Sequence, residues 1–99
     1  MEYRLTDLAF GDLVDIHDYI AEDRPEAARR FVGRLYDKFE FLAKFPEAGE
    51  RRPEFGRGDI RVFSAWNYVI YYRIRARDVE IARVVHGARS TESLFADDD

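Results

Sequence analysis

The final third of the chain drops the three-and-four spacing of the first half and turns to β-type runs. Residues 60–66 read Ile-Arg-Val-Phe-Ser-Ala-Trp, residues 68–75 Tyr-Val-Ile-Tyr-Tyr-Arg-Ile-Arg, and residues 79–86 Val-Glu-Ile-Ala-Arg-Val-Val-His. Such β-branched and aromatic runs read as strands. Only Asn67 separates the first two, and Ala76, Arg77 and Asp78 separate the next pair. Breaks this short allow hairpins but not crossover helices, so an antiparallel arrangement is predicted. In the middle run, alternation puts Tyr68, Ile70, Tyr72 and Ile74 on one face, expected to pack on helices. Val69, Tyr71, Arg73 and Arg75 make the other, more polar face. In the last run, strict alternation sets Val79, Ile81, Arg83 and Val85 against Glu80, Ala82, Val84 and His86. Apolar residues on both sides predict an interior strand or a second covered face.

The first half is helical in pattern. A short alternating run at residues 2–5 predicts a first strand. Thr6 then stands at an N-cap position with Asp7 in the first turn, where its charge suits the helix dipole. Ala9, Leu13, Ile16 and Ile20 form one apolar stripe, predicting a helix over residues 7–21. Pro25 suits the first turn of a second helix, with Asp23 the better capping side chain beside Arg24. Ala28, Phe31, Leu35, Phe39 and Leu42 carry that helix to residue 44, where Phe45-Pro46 stops it. So short a break predicts a helical hairpin. Residues 47–59 hold Gly49, Pro53, Gly56 and Gly58 without a period and read as an ordered surface loop.

Ninety-nine residues make one domain with a modest core. There is no cysteine, which excludes disulfides and thiolate chemistry. No apolar run approaches the ~20 residues of a membrane span, so a soluble, cytoplasmic protein is expected. The net charge of −4 argues against generic nucleic-acid binding. Its distribution is uneven: residues 1–50 carry 7 basic and 12 acidic side chains, whereas residues 51–89 carry 9 Arg against 4 acids. Glu92 and Asp97 to Asp99 then make the end acidic.

Among single residues, Arg83 interrupts an apolar run and needs a partner if buried. Asp12, Asp15 and Glu40 are the candidates; an exposed Arg83 would instead join Arg61 and Arg73 in a cationic patch. Asp12, Asp15 and Asp18 recur along the first helix, a pattern that fits a solvated face better than a Mg²⁺ site. His17 is isolated. No phosphate loop, zinc pattern or nucleophile motif is present. The reading is therefore no metal and no cofactor.

One set of residues goes beyond composition: Ala9, Leu13, Ile16, Tyr19 and Ile20; Pro46 and Gly49; Arg61; Tyr72-Arg73; and Ile81, Arg83, Val84, Val85, His86 and Arg89. In this order the chain resembles the ParE/RelE superfamily of small bacterial toxins over residues 2–95, and within it the ParE-like, plasmid-stabilisation branch. The resemblance implies an α+β fold, β-α-α-β-β-β, with an N-terminal helical hairpin on a small, mostly antiparallel sheet. It implies one domain over residues 1–95, after which an acidic tail at 96–99 is expected to be disordered. It also implies a type II toxin neutralised by a cognate antitoxin with a C-terminal wrapping segment.

The superfamily's RelE branch comprises ribosome-dependent mRNA endonucleases, whereas studied ParE members act on DNA gyrase. RNA cleavage without metal needs a base, an acid and phosphate-binding cations. Here the strands carry no Lys, the late aromatic is Phe95, and Val69 stands where the nuclease branch tends to carry Arg. Arg61, Arg83, His86 and Arg89 are the one set that could attempt the chemistry, with Tyr71 or Glu80 as second proton-transfer group. The expectation is thus a non-enzymatic gyrase inhibitor. Arg61, Arg73, Arg83, His86 and Arg89 would contact its target, with no membrane and no direct nucleic acid involved. The alternatives are a RelE-like nuclease and an inactive binding module of the same fold.

Overall fold

The computed structural model describes residues 1–87. Its order is β1 (Glu2–Leu5), α1 (Asp7–Ala21), α2 (Pro25–Lys44), β2 (Glu50–Arg51), β3 (Arg61–Ala65), β4 (Tyr68–Ile74) and β5 (Asp78–His86). The predicted α+β layout is present, with one strand added. The short β2 was not anticipated, because two exposed residues carry no alternation. Five strands form one sheet in the order β1-β5-β4-β3-β2. β1 runs parallel to β5, and the other pairings are antiparallel. The acidic tail expected at 96–99 lies outside the described residues.

Both helices end as their chemistry dictates. The Thr6 hydroxyl accepts the Ala9 N–H at 3.0 Å and caps α1. Asp23 does not cap α2. Its N–H and that of Arg24 both turn back to the Ile20 carbonyl, and Arg24 takes the cap position without a side-chain bond. Pro25 at the first helical position makes that cap less necessary, since its missing N–H is one fewer orphan donor.

Ala9, Leu13 and Ile16 of α1 and Leu35, Phe39 and Leu42 of α2 meet Ile70 and Tyr72 of β4 and Val79, Ile81 and Val84 of β5. On the opposite face Ile60, Tyr71 and Val85 form a second small core with Phe55, Val62 and Val69. The 47–59 loop is therefore a lid on the sheet, since its Phe55 ring lies 6.0 Å from Tyr71.

Strict alternation fails in β5. Tyr71 pairs with Arg83 and Tyr72 with Ile81, so Ala82 is an extra residue, a β-bulge. Beyond it Val84 faces the helices and Val85 the second core. This corrects the sequence reading, which put Val85 with Val79 and set Val84 opposite.

Candidate functional site

Where β1 ends, β5 continues, and its backbone edge needs other partners. Thr6 donates its backbone N–H to the Ile81 carbonyl at 3.0 Å and its hydroxyl to the Ala82 carbonyl at 2.8 Å. Asp12 of α1 then accepts the Val84 N–H at 2.8 Å. The same carboxylate takes both Nε and Nη2 of Arg83 at 2.9 Å, a bidentate pair. Side-chain exposures of 13% and 11% make it a largely buried pair. The hydrogen bond to Asp12 raises the Arg83 pKa against the opposing effect of burial. Arg83 thus finds one of its three anticipated carboxylate partners.

Arg73 sits on the other face, also buried. Its guanidinium reaches Glu80 and Asp59, each at 3.2 Å. Arg75 adds a bond to Asp59 at 3.3 Å, and Arg4 donates to Glu80 and Asp78. Burial opposes the Glu80 charge, but hydrogen bonds from Arg73 and Arg4 and the charge of Arg75 outweigh it. The carboxyl is held below its ordinary range. A carboxylate so held is a poor proton donor near neutrality.

Arg61 serves the loop after α2. It donates to the Gly49 carbonyl at 2.8 Å. The Tyr72 hydroxyl, inside the core, accepts the Gly49 N–H at 2.8 Å and donates to the Pro46 carbonyl at 2.7 Å. This gives the Pro46-x-x-Gly49 pair a physical reason. A Cβ on Gly49 would stand 2.5 Å from the Tyr72 hydroxyl and 2.8 Å from the Val62 carbonyl. Burial raises the Tyr72 pKa and likewise that of Tyr71, so both stay neutral phenols near neutral pH.

His86 is exposed at the end of β5, its ring edge-on to Tyr68 at 5.5 Å. It pairs across β4 with Tyr68, whereas Arg61 pairs with Tyr72. Strand spacing and rise therefore put the two backbones roughly 16 Å apart. Arg73 lies on the opposite face, and Arg83 reaches α1 at the sheet edge. Arg89 lies outside the described residues. The anticipated residues are thus distributed over both faces and an edge. The sequence also gave no warning that Thr6 and Asp12 would replace a missing strand. Among the described residues no group of three or more His, Asp or Glu is placed to hold a metal ion. Among the described residues, no helix is long and apolar enough to cross a membrane.

The family model for the ParE toxin of the type II toxin–antitoxin system parDE matches residues 3–91. This chain belongs to the ParE toxin family. Its relatives include the candidate toxin Y4kP of Sinorhizobium fredii, 40% identical over 88 residues that cover 84% of each chain. Toxin RelE2 of Caulobacter vibrioides is 37% identical over 81 residues, covering 82% of this chain and 89% of its own. Toxin RelE3 of the same organism is 31% identical over 75 residues, 76% and 82%. A solved chain of the chromosomal ParDE system from P. aeruginosa superposes with a TM-score of 0.73 at 23% identity, over 87% of this chain and 95% of that one. That likeness gives the fold. In this chain the Asp12–Arg83 clasp and the Tyr72–Gly49 anchor hold that architecture.

Proposed function

We propose that this ParE-family toxin arrests growth in the cytoplasm by binding DNA gyrase rather than by cleaving RNA. A cognate antitoxin with a C-terminal wrapping segment neutralises it. The observation that carries the reading is the engagement of the would-be catalytic cations. Arg83 is bidentate on Asp12, and Arg61 is engaged with the Gly49 carbonyl, its backbone roughly 16 Å from that of His86 by strand geometry. Glu80 is caged by arginines, and Tyr71 is buried. Acid–base cleavage needs such groups within hydrogen-bond reach of one phosphate. His86, at the end of β5, and Arg89, three positions further along the sequence, are the proposed target contacts. Arg61, Arg73 and Arg83 hold the surface that presents them.

Relatives named RelE2 and RelE3 favour the ribosome-dependent nuclease as second reading. Purified chain assayed for gyrase supercoiling and DNA cleavage, beside cell-free translation, separates the two. Cleaved DNA with normal translation is expected. Lost translation with normal supercoiling overturns the proposal in favour of RNA cleavage, and no effect in either assay leaves an inactive binding module.

A further inference from the structure

The clasp of Thr6 and Asp12 closes β5 beyond Leu5, but β1 itself is the last strand of the sheet on that side. Strand geometry says which of its groups are left over. The Thr6 N–H reaches the Ile81 carbonyl, so Thr6, Arg4 and Glu2 turn their backbone groups toward β5. Tyr3 and Leu5, one step out of phase, turn theirs outward. Among the described residues no hydrogen bond meets them there. Edges are ordinarily blunted by proline, a bulge or charge. β1 has no proline, and its register with β5 is unbroken from Glu2 to Leu5. Its two charges, Glu2 and Arg4, have opposite signs.

Those charges are placed symmetrically about Tyr3. Laid antiparallel against a second β1 with Tyr3 opposite Tyr3, the strand sets Glu2 opposite Arg4 twice and Met1 opposite Leu5 twice. The two Tyr3 residues then form a hydrogen-bonded pair that uses the outward N–H and carbonyl of both. Glu2 and Arg4 share the face on which Arg4 meets Glu80 and Asp78. Tyr3 and Leu5 share the other face and pack on the first core. Moving the two-fold axis to Arg4 would set guanidinium against guanidinium, which destabilises a strand pair. Moving it to Leu5 would run the second strand into α1, which begins at Asp7. Met1 and Leu8 flank the strand at its two ends and are 56% and 63% exposed. The same register brings the Met1 end of one copy to the Leu8 end of the other.

We infer that β1 pairs with β1 of a second copy of this chain, Tyr3 opposite Tyr3, joining two sheets into one. Charge complementarity selects the occupant, because Glu2 and Arg4 complement themselves across a two-fold axis. The inference does not rest on the toxin reading. β1 covers β5 only from Asp78 to Ile81, so the pair leaves both β5 ends uncovered and presents His86 twice. A short strand pairing with two apolar flanks lies at the small end of specific interfaces, so a Kd on the order of 1–100 μM is expected.

The test is sedimentation of the full chain over a concentration series, with amide hydrogen exchange beside it. A monomer–dimer equilibrium is expected, with the Tyr3 and Leu5 amides gaining protection as concentration rises. Glu2 is exposed and makes no ion pair among the described residues. Glu2→Arg should raise Kd about tenfold, by setting like charges opposite each other at both ends of the pairing. The chain has no cysteine, so crosslinks report the register cleanly. Glu2→Cys mixed with Arg4→Cys should form a mixed disulfide on mild oxidation, since such opposed residues lie about 4.5 Å apart at Cα. Neither variant alone should link as fast. A chain that stays monomeric at millimolar concentration overturns the inference. So does an Arg4→Cys variant that links to itself as fast as the mixture does, or a Kd that Glu2→Arg leaves unchanged. Protection that gathers at Ser64 instead of Tyr3 puts association on the opposite edge and also overturns it. If Arg4→Cys fails to fold, Glu2→Arg decides alone. Growth arrest on induction tests the toxin reading separately, so either can fail without the other.

Discussion

At one edge of the sheet β1 stops at Leu5, and Thr6 and Asp12 carry the pairing of β5 onward with side chains. At the other edge β2 pairs only with Val62 and Arg61. Among the described residues, nothing pairs with the outer side of Phe63, Ser64 and Ala65. That edge has aromatic cover instead, Phe41 lying 5.6 Å from Phe63 and 5.2 Å from Phe45. Unpaired strand edges invite association. Past Leu5 the first edge is closed with a buried charge pair, so its integrity is a matter of folding. The second is screened by half-exposed rings, so changes there should register in association before stability.

The sharpest way to break this comparison is Asp12→Ala. It leaves the Arg83 guanidinium buried without its carboxylate and the Val84 N–H without its acceptor. A loss of about 3–5 kcal/mol is expected in urea unfolding. A loss below about 1 kcal/mol would mean that packing alone closes the edge. Next in size is Tyr72→Phe, which strands the Gly49 N–H and the Pro46 carbonyl. It should cost about 1–3 kcal/mol while far-UV circular dichroism stays unchanged. Gly49→Ala should be no milder, because its methyl meets Tyr72 and the Val62 backbone together.

The third prediction concerns acid. The Glu80 carboxyl titrates lower in the folded protein than in the unfolded chain, so on acidification the unfolded chain takes up the proton first. The stabilisation from Glu80 is whole above the unfolded value, about 4.3. It is lost as pH falls through the lower folded value. Stability measured from pH 6 down to pH 3 should fall less steeply in Glu80→Gln than in the wild type. Equal slopes would remove Glu80 from the account. The smallest effect is expected at the screened edge. Phe45→Ser should change stability by no more than about 0.5–1 kcal/mol. By uncovering the unpaired edge it should raise self-association in sedimentation, and a larger stability loss would make this edge part of the core.

Elements that rest on local chemistry were legible in the chain. The stripe from Ala9 to Ile20 and the cap at Thr6 place α1, and Pro25 and Pro46 bracket α2. Alternation in β4 assigns both of its faces correctly. The parallel partnership of β1 with β5 was not legible, because four residues carry no record of a neighbour 76 positions away. Nor was β2, or the lid that Phe55 places over Tyr71. At the candidate site the cations could be named but not their engagements. Arg83 was equally compatible with an ion pair and an open patch until the fold brought Asp12 to it.

The bulge at Ala82 bears on how this strand tolerates changes of length. It adds one residue between Ile81 and Arg83 without reversing which residues on either side face the helices. A deletion of Ala82 would therefore leave inside and outside unchanged along β5. It would straighten the strand and remove the carbonyl that Thr6 grips, drawing Arg83 away from Asp12. A deletion at Ile70, inside a strand with no spare residue, would instead turn over every later side chain of β4. Within one sheet, then, neighbouring strands differ in whether a lost codon shifts an angle or inverts a face.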